Sequence, residues 1–130
     1  MEKAKKDLLG AYIKSGISPI LLEGVSADTF KNPVIIDSNC DISLLNGHYE
    51  NEGFVGPSWY NELIKKDKPI LLINEINSIS KEEQYKFVEI LKYKKVSTFE
   101  LPKNCIIIAT CNNLKDNPIN EEVYSLMAHI

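Results

Sequence analysis

The sequence predicts an α/β sandwich in three layers, with helices covering both faces of a mostly parallel sheet. Three observations carry that expectation. Apolar runs of strand length recur along the chain, and each ends in polar or turn-forming residues. Amphipathic stretches with recognisable helix caps lie between them. The runs are continuous rather than alternating, as in strands buried on both sides. At 130 residues the chain reads as one domain, residues 1–130, long enough to bury a sizeable core.

The elements follow in order. Residues 2–15 predict an amphipathic helix: Leu8, Leu9, Tyr12 and Ile13 share a face, lysines take the other, and Gly16 suits the position after the end. Residues 19–24, P-I-L-L-E-G, form a short buried-type strand. A polar stretch over 25–33 closes on Asn32-Pro33, a breaker. V-I-I-D over 34–37 is the next strand, and residues 38–56, rich in Asn, Gly, Ser and acids, read as loop. Pro57 at a first helical position opens a short helix in which Trp59 is a packing anchor. Residues 70–76 are a third strand. Ser80 and Glu83 make a capping box for a helix running to about Lys94, with lysines placed for its C-terminal dipole. Residues 96–101 alternate as half of a small hairpin, and residues 105–110 are the last core strand. Asn117-Pro118 begins a final helix from Ile119 to about Ala128.

Composition narrows the function. Hydrophobic residues make up 44% and charged residues 25%, ordinary for a soluble globular protein. No apolar run is long enough to span a membrane, and Gly10, Lys14 and Gly16 break the only stretch resembling a signal peptide. The net charge is -3, with no basic stripe for nucleic acid. All 15 basic residues are lysines, and lysine cannot reproduce the planar fork of guanidinium. Three cysteines without a C-x-x-C pair argue against a disulfide framework or structural zinc and point to a reducing cytoplasm.

The chemistry-bearing signals are two strand tips. P-I-L-L-I-N-E-I ends in Asn74-Glu75, and N-C-I-I-I-A-T-C-N-N ends in Asn112-Asn113. A carboxylate tip beside an amide tip is how many NTPases hold Mg²⁺ and orient a water at a γ-phosphate. Glu75 is the candidate base and Asn112 the candidate γ-phosphate or water contact. Asn74 stands where a metal-holding Asp is usual, so a metal site there loses a charge. The plainer alternative is that Asn74-Glu75 caps a buried strand and Asn112-Asn113 makes a turn. A phosphate cradle needs G-x-x-x-x-G-K-[S/T] opening a helix. After the first strand this chain offers Gly24 as a first glycine. Thr29 and Phe30 then replace the second glycine and the lysine, and Lys31 comes one place late, before Asn32-Pro33. Gly24 and Lys31 are the remaining nucleotide-binding candidates.

Together these segments resemble the MoxR-like branch of AAA+ ATPases, best from about Phe54 to Ile130. F-V-G-P-S-W-Y-N-E-L looks like its proline-tryptophan segment, and I-L-L-I-N-E-I-N-S-I-S like its Walker B strand and following cap. V-S-T-F-E-L-P-K-N looks like the hairpin before sensor 1, and I-I-I-A-T-C-N-N like sensor 1 with Asn112 in the polar position. I-N-E-E-V-Y-S-L-M-A-H-I looks like the helix that carries an arginine finger, with Leu126 in the arginine's place. The resemblance implies a trimmed AAA+/P-loop NTPase core: a parallel five-stranded sheet, with the four predicted strands in spatial order 1-4-3-2. It also implies rings with nucleotide between subunits and a helical lid. The sequence departs at the Walker A loop and its helix, the Walker B aspartate, the finger arginine and the lid, which is expected to be absent.

Those departures set the functional expectation: a degenerate, catalytically inactive module that acts through protein–protein interaction or assembly. It would have no cofactor, a protein partner with an intact AAA+ ATPase among the candidates, and no nucleic-acid or membrane partner. One alternative is a weak, unorthodox ATP-binding ATPase, the only case that calls for ATP and Mg²⁺. Another is a small structural protein of a mobile element.

Overall fold

The computed structural model describes residues 1–130. The chain runs through α1 (Lys3–Lys14), β1 (Ile20–Glu23), β2 (Val34–Asp37), α2 (Ile42–Asn46), β3 (His48–Glu50), β4 (Gly53–Val55), α3 (Ser58–Leu63) and β5 (Ile70–Asn74). A helical segment then spans Glu83–Phe87 and Glu89–Tyr93, followed by β6 (Lys95–Val96), β7 (Phe99–Glu100), β8 (Ile106–Cys111), α4 (Glu121–Ser125) and β9 (Ala128–His129). The main sheet has five strands in the order β2-β5-β8-β1-β9, and every pairing within it is parallel. The expected order of the four core strands is therefore the observed one.

Alternation along the strands builds two cores. Leu21, Leu71, Ile73, Ile107, Ala109 and Cys111 point to the larger core, shared with Trp59, Leu63, Phe87, Ile90, Leu91 and Val123. Ile20, Leu22, Leu72 and Ile108 point the other way, where Leu9 of α1 closes a smaller core. This is the three-layer sandwich. Continuous apolar strands are needed because both of their faces are dry.

Four local expectations need correction. Residues 38–56 are not all loop: they hold α2 and the antiparallel hairpin β3–β4. The hairpin escaped notice because all six of its strand residues are exposed and no apolar face marks it. The segment after Ser80 is helical where expected, and Ser80 Oγ accepts from the Glu83 N–H at 3.2 Å. It is, however, 3₁₀ over Glu83–Phe87 and π over Glu89–Tyr93, ending at Lys94 in the left-handed region. The final helix is shorter than expected, because Asn120 rather than Asn117 caps it. Asn120 Oδ1 accepts from the N–H groups of Glu122 and Val123 at 2.9 and 3.4 Å. The residues beyond it leave the helix to form β9, a fifth strand along β1. Finally, Pro57 precedes the first turn of α3 instead of lying in it.

Candidate functional site

The carboxyl ends of β1, β5 and β8 open into one cleft of about 370 Å³, lined by Gly24, Val25, Ser26, Ala27, Asn74, Glu75, Thr110, Cys111 and Asn112. Open α/β sheets place ligand sites at such strand ends. The parallel register brings the two tips together: Ile73 is opposite Ala109, so Asn74-Glu75 and Thr110-Asn112 finish side by side. Four of the five residues singled out from sequence, Gly24, Asn74, Glu75 and Asn112, thus line the same cleft.

Lys31 does not. After Gly24, at φ +73°, the chain makes only a single 3₁₀ turn, Ala27–Thr29. Phe30 then packs on the smaller core, leaving Lys31 exposed on the outside. Three residues of 3₁₀ helix aim no extended stack of peptide dipoles at the cleft. No lysine lines it either. Lys5, on α1, donates through Nζ to the Glu23 carbonyl at 2.5 Å, beside the β1 end.

Glu75 has a left-handed backbone, φ 52° and ψ 60°, which is costly for a residue with a Cβ. Both of its main-chain groups are held. Its N–H donates to Thr110 Oγ1 at 2.9 Å, and its carbonyl accepts from Ser38 Oγ at 2.8 Å. The Thr110 hydroxyl donates onward to Asn74 Oδ1 at 3.3 Å. The Glu75 carboxylate has no cationic partner, since the two close charge pairs of the fold are His48–Glu50 and His129–Glu23.

Sequence reasoning passed over the residue that joins the tips. Asn77 is only 5% exposed. Its Nδ2 donates to the carbonyls of Asn112 and Asn117 at 2.6 and 2.8 Å, and its Oδ1 accepts from the Asn112 N–H at 3.3 Å. Thr110 and Ser38, both nearly fully buried, were also missed as site supports. The available signal was a run of short polar residues just past an apolar strand, where their side chains take up backbone groups.

The thiols are quiet. Burial, with Glu23 adding and Lys5 opposing, pushes Cys111 up to about 11. Burial pushes Cys105 up to about 11 as well and also raises Cys40. None is a ready thiolate nucleophile near neutrality. No three His, Cys, Asp or Glu residues gather as a metal site. At the strand tip where a metal-holding Asp is usual, Asn74 is neutral, as its sequence shows, and its side-chain oxygen accepts from Thr110 Oγ1. The residues present do not fit ATP·Mg²⁺: the cleft offers polyphosphate neither a cation nor a helix N-terminus.

No family model matches the chain, and no curated protein matches it. Solved structures do. A crystal structure of an MCM homolog from Methanopyrus kandleri has a TM-score of 0.63 at 13% identity, over 95% of this chain and 33% of that one. NtrX from Brucella abortus has a TM-score of 0.58 at 12% identity, over 98% of this chain and 35% of that one. NtrX in complex with ADP gives 0.57 at 14% identity, over 98% and 35%. Both are AAA+/P-loop ATPases. The fold is the AAA+ fold. The chain spans about a third of the length of the structures it matches, and at these identities the likeness concerns the fold alone. No helix is long and apolar enough to cross a membrane.

Proposed function

We propose that this chain is a degenerate AAA+ module of MoxR-like ancestry that does not hydrolyse ATP and acts by binding another protein. One observation carries the reading. The AAA+ fold is intact at the sheet, and Glu75 and Asn112 still share its cleft, but nothing there grips phosphate. Removing a transition-state arginine alone costs ~10³–10⁵ in rate, and here the cradle lysine, the metal carboxylate and the arginine are missing together. An intact AAA+ ATPase is a partner candidate, because a ring of competent subunits offers surfaces that this fold complements. Cytoplasmic residence agrees with the three unpaired thiols.

Calorimetric titration with ATP·Mg²⁺ tests the reading. The expected result is no binding tighter than ~1 mM and no turnover above background at any protein concentration. Concentration-dependent hydrolysis eliminated by Glu75→Gln would falsify it in favour of an unorthodox ATPase. Tight binding abolished by Lys31→Ala would move the phosphate grip to a loop that lies outside the cleft. Failure to co-purify with any neighbour-encoded ATPase would instead favour the third reading, a small structural protein of a mobile element.

A further inference from the structure

We infer that β2 is a self-pairing edge: two copies of this chain join antiparallel along it, about a two-fold axis at Ile35, into one continuous sheet. This association uses none of the cleft and stands whether or not the chain has the partner proposed above. β2 is the outer strand of the main sheet and pairs only with β5. Along a strand, successive residues turn their main-chain N–H and C=O groups to opposite sides. Ser38 N–H donates to the Asn74 carbonyl on the β5 side at 3.3 Å, so Val34 and Ile36 turn their groups to β5 as well. Ile35 and Asp37 therefore turn theirs outward. The Asp37 carbonyl is already taken, by the Cys40 N–H at 3.1 Å. Pro33 adds an outward carbonyl and has no N–H to offer. The open edge thus presents the carbonyls of Pro33 and Ile35 and the N–H groups of Ile35 and Asp37.

That set is its own complement. With Ile35 opposite the partner's Ile35, the two residues exchange both of their N–H···O bonds. Each Asp37 N–H then meets the carbonyl of the partner's Pro33. The donor that proline lacks falls opposite the one carbonyl that is already bonded. Sliding the partner by two residues sets Ile35 against Pro33, which cannot donate, or against Asp37, whose carbonyl is engaged. Extending the ladder past Pro33 is blocked by Asn32, whose backbone is left-handed at φ 58°.

The side chains agree with this register. Ile35 is 47% exposed, although Val34 and Ile36 on either side of it are buried. In the pair the two Ile35 side chains share a face, with Cα atoms about 5.5 Å apart, and cover each other. Lys31 and Asp37 are both exposed, and neither belongs to a close charge pair of the fold. In this register Asp37 lies diagonal to the partner's Lys31, about 7–8 Å away along the main chain and within reach of a long side chain. Opposite charges then meet twice across the axis. Proline and charged residues commonly guard an edge strand against indiscriminate pairing. Here the same residues disfavour the shifted registers and leave one open, which also gives Lys31 a role outside the cleft.

The test is sedimentation velocity of the chain from ~10 μM to ~1 mM, with amide hydrogen exchange followed by NMR at both ends of that range. The ladder is short, so half-association is expected only at ~0.1–1 mM, and growth should stop at two copies because pairing consumes the edge. The Ile35 and Asp37 amides should exchange fast in dilute samples and slow down when concentrated. Ile35→Lys, at an exposed position where a melt confirms folding, should abolish association by setting two like charges together. Lys31→Glu and Asp37→Lys should each weaken it about tenfold, since symmetry alters two pairs at once, and the two together should restore it. A single-chain mass throughout overturns the inference. So does a dimer indifferent to Ile35→Lys and to the charge reversals, or assembly that continues beyond two copies. Slow exchange of the Ile35 and Asp37 amides in dilute samples would also overturn it, by showing that the chain covers its own edge. None of these outcomes bears on ATP·Mg²⁺ binding, which tests the non-catalytic reading separately.

Discussion

Replacing Asn77 with alanine removes the clamp between the two strand tips. Three hydrogen bonds go at once: from Nδ2 to the carbonyls of Asn112 and Asn117, at 2.6 and 2.8 Å, and from the Asn112 N–H to Oδ1, at 3.3 Å. A typical internal hydrogen bond contributes about 0.5–1.5 kcal/mol net, and a buried group left unpaired costs more. The Asn112 side is open enough for water to replace part of what is lost, so the expected total is about 2 kcal/mol. For a chain of this length the unfolding entropy is roughly 0.27 kcal/mol/K, which turns that loss into a melting-temperature drop of roughly 7 °C. Circular dichroism melts measure it, and hydrogen exchange at the Asn112 amide should speed up in parallel. Asn77→Asp should be worse near neutrality, because a carboxylate then faces two carbonyl oxygens. Those carbonyls favour a protonated, donating carboxyl at this position and so raise its folded pKa above the unfolded one. The stability that the protonated form retains is fully present below the ordinary aspartate range and is lost as pH rises through the raised value. A drop below ~2 °C for the alanine variant, with Asn112 exchange unchanged, would refute the clamp.

Glu75→Gly should stabilise the protein by about 1 kcal/mol in urea unfolding, because glycine relieves the left-handed backbone at φ 52°. A loss of stability would mean that the Glu75 side chain contributes more than its backbone costs. Gly47→Ala should destabilise by about 2–4 kcal/mol, because the added Cβ would lie 2.4 Å from the Val55 carbonyl oxygen at φ +88°. Retention of the wild-type melting temperature would show that the β3–β4 hairpin moves freely. Alkylation of Cys105 and Cys111 should be negligible at pH 8 and rise about tenfold per pH unit toward about 11, as the thiolate fraction grows. Both should react promptly in urea, and fast labelling of the folded protein at pH 8 would contradict their burial.

The sequence made β1, β5 and β8 legible because two-sided burial demands unbroken apolar runs, which Leu21, Leu72 and Ile108 supply; the edge strand β2 was legible from the short run Val34–Ile36, although its other face, with Ile35, is exposed. β9 was not legible. It is two residues long and is held by main-chain bonds, such as Ala128 N–H to the Pro19 carbonyl at 2.9 Å, to which side-chain identity is indifferent. The β3–β4 hairpin was hidden for the opposite reason. Its best side-chain contact, Tyr49 against Phe54 at 5.1 Å, sits on the surface, with Tyr49 84% exposed. In the site, the meeting of Glu75 and Asn112 could be read because parallel neighbours end together. The left-handed turn at Glu75 and the Asn77 clamp could not, since both depend on how the chain leaves the strand rather than on the strand itself. Lys31 looked available only while the loop was treated as a string of spacings. Once Phe30 seeks the core, the next residue must face out.

The order of the main sheet has a consequence for how this chain is made. β1 lies between β8 and β9, so Ile20 is paired across to Ile108 on one side and Ala128 on the other. Both neighbours come at the far end of the sequence. A ribosome therefore releases an apolar strand early and its partners late, leaving two open edges throughout synthesis. Contacts of such long sequence separation slow folding and lengthen exposure to aggregation. A chain interrupted before β8 would retain β2 against β5, with β1 unmatched. Quality control in the cell would meet such a fragment as a sticky, unfinished species rather than as a smaller version of the protein.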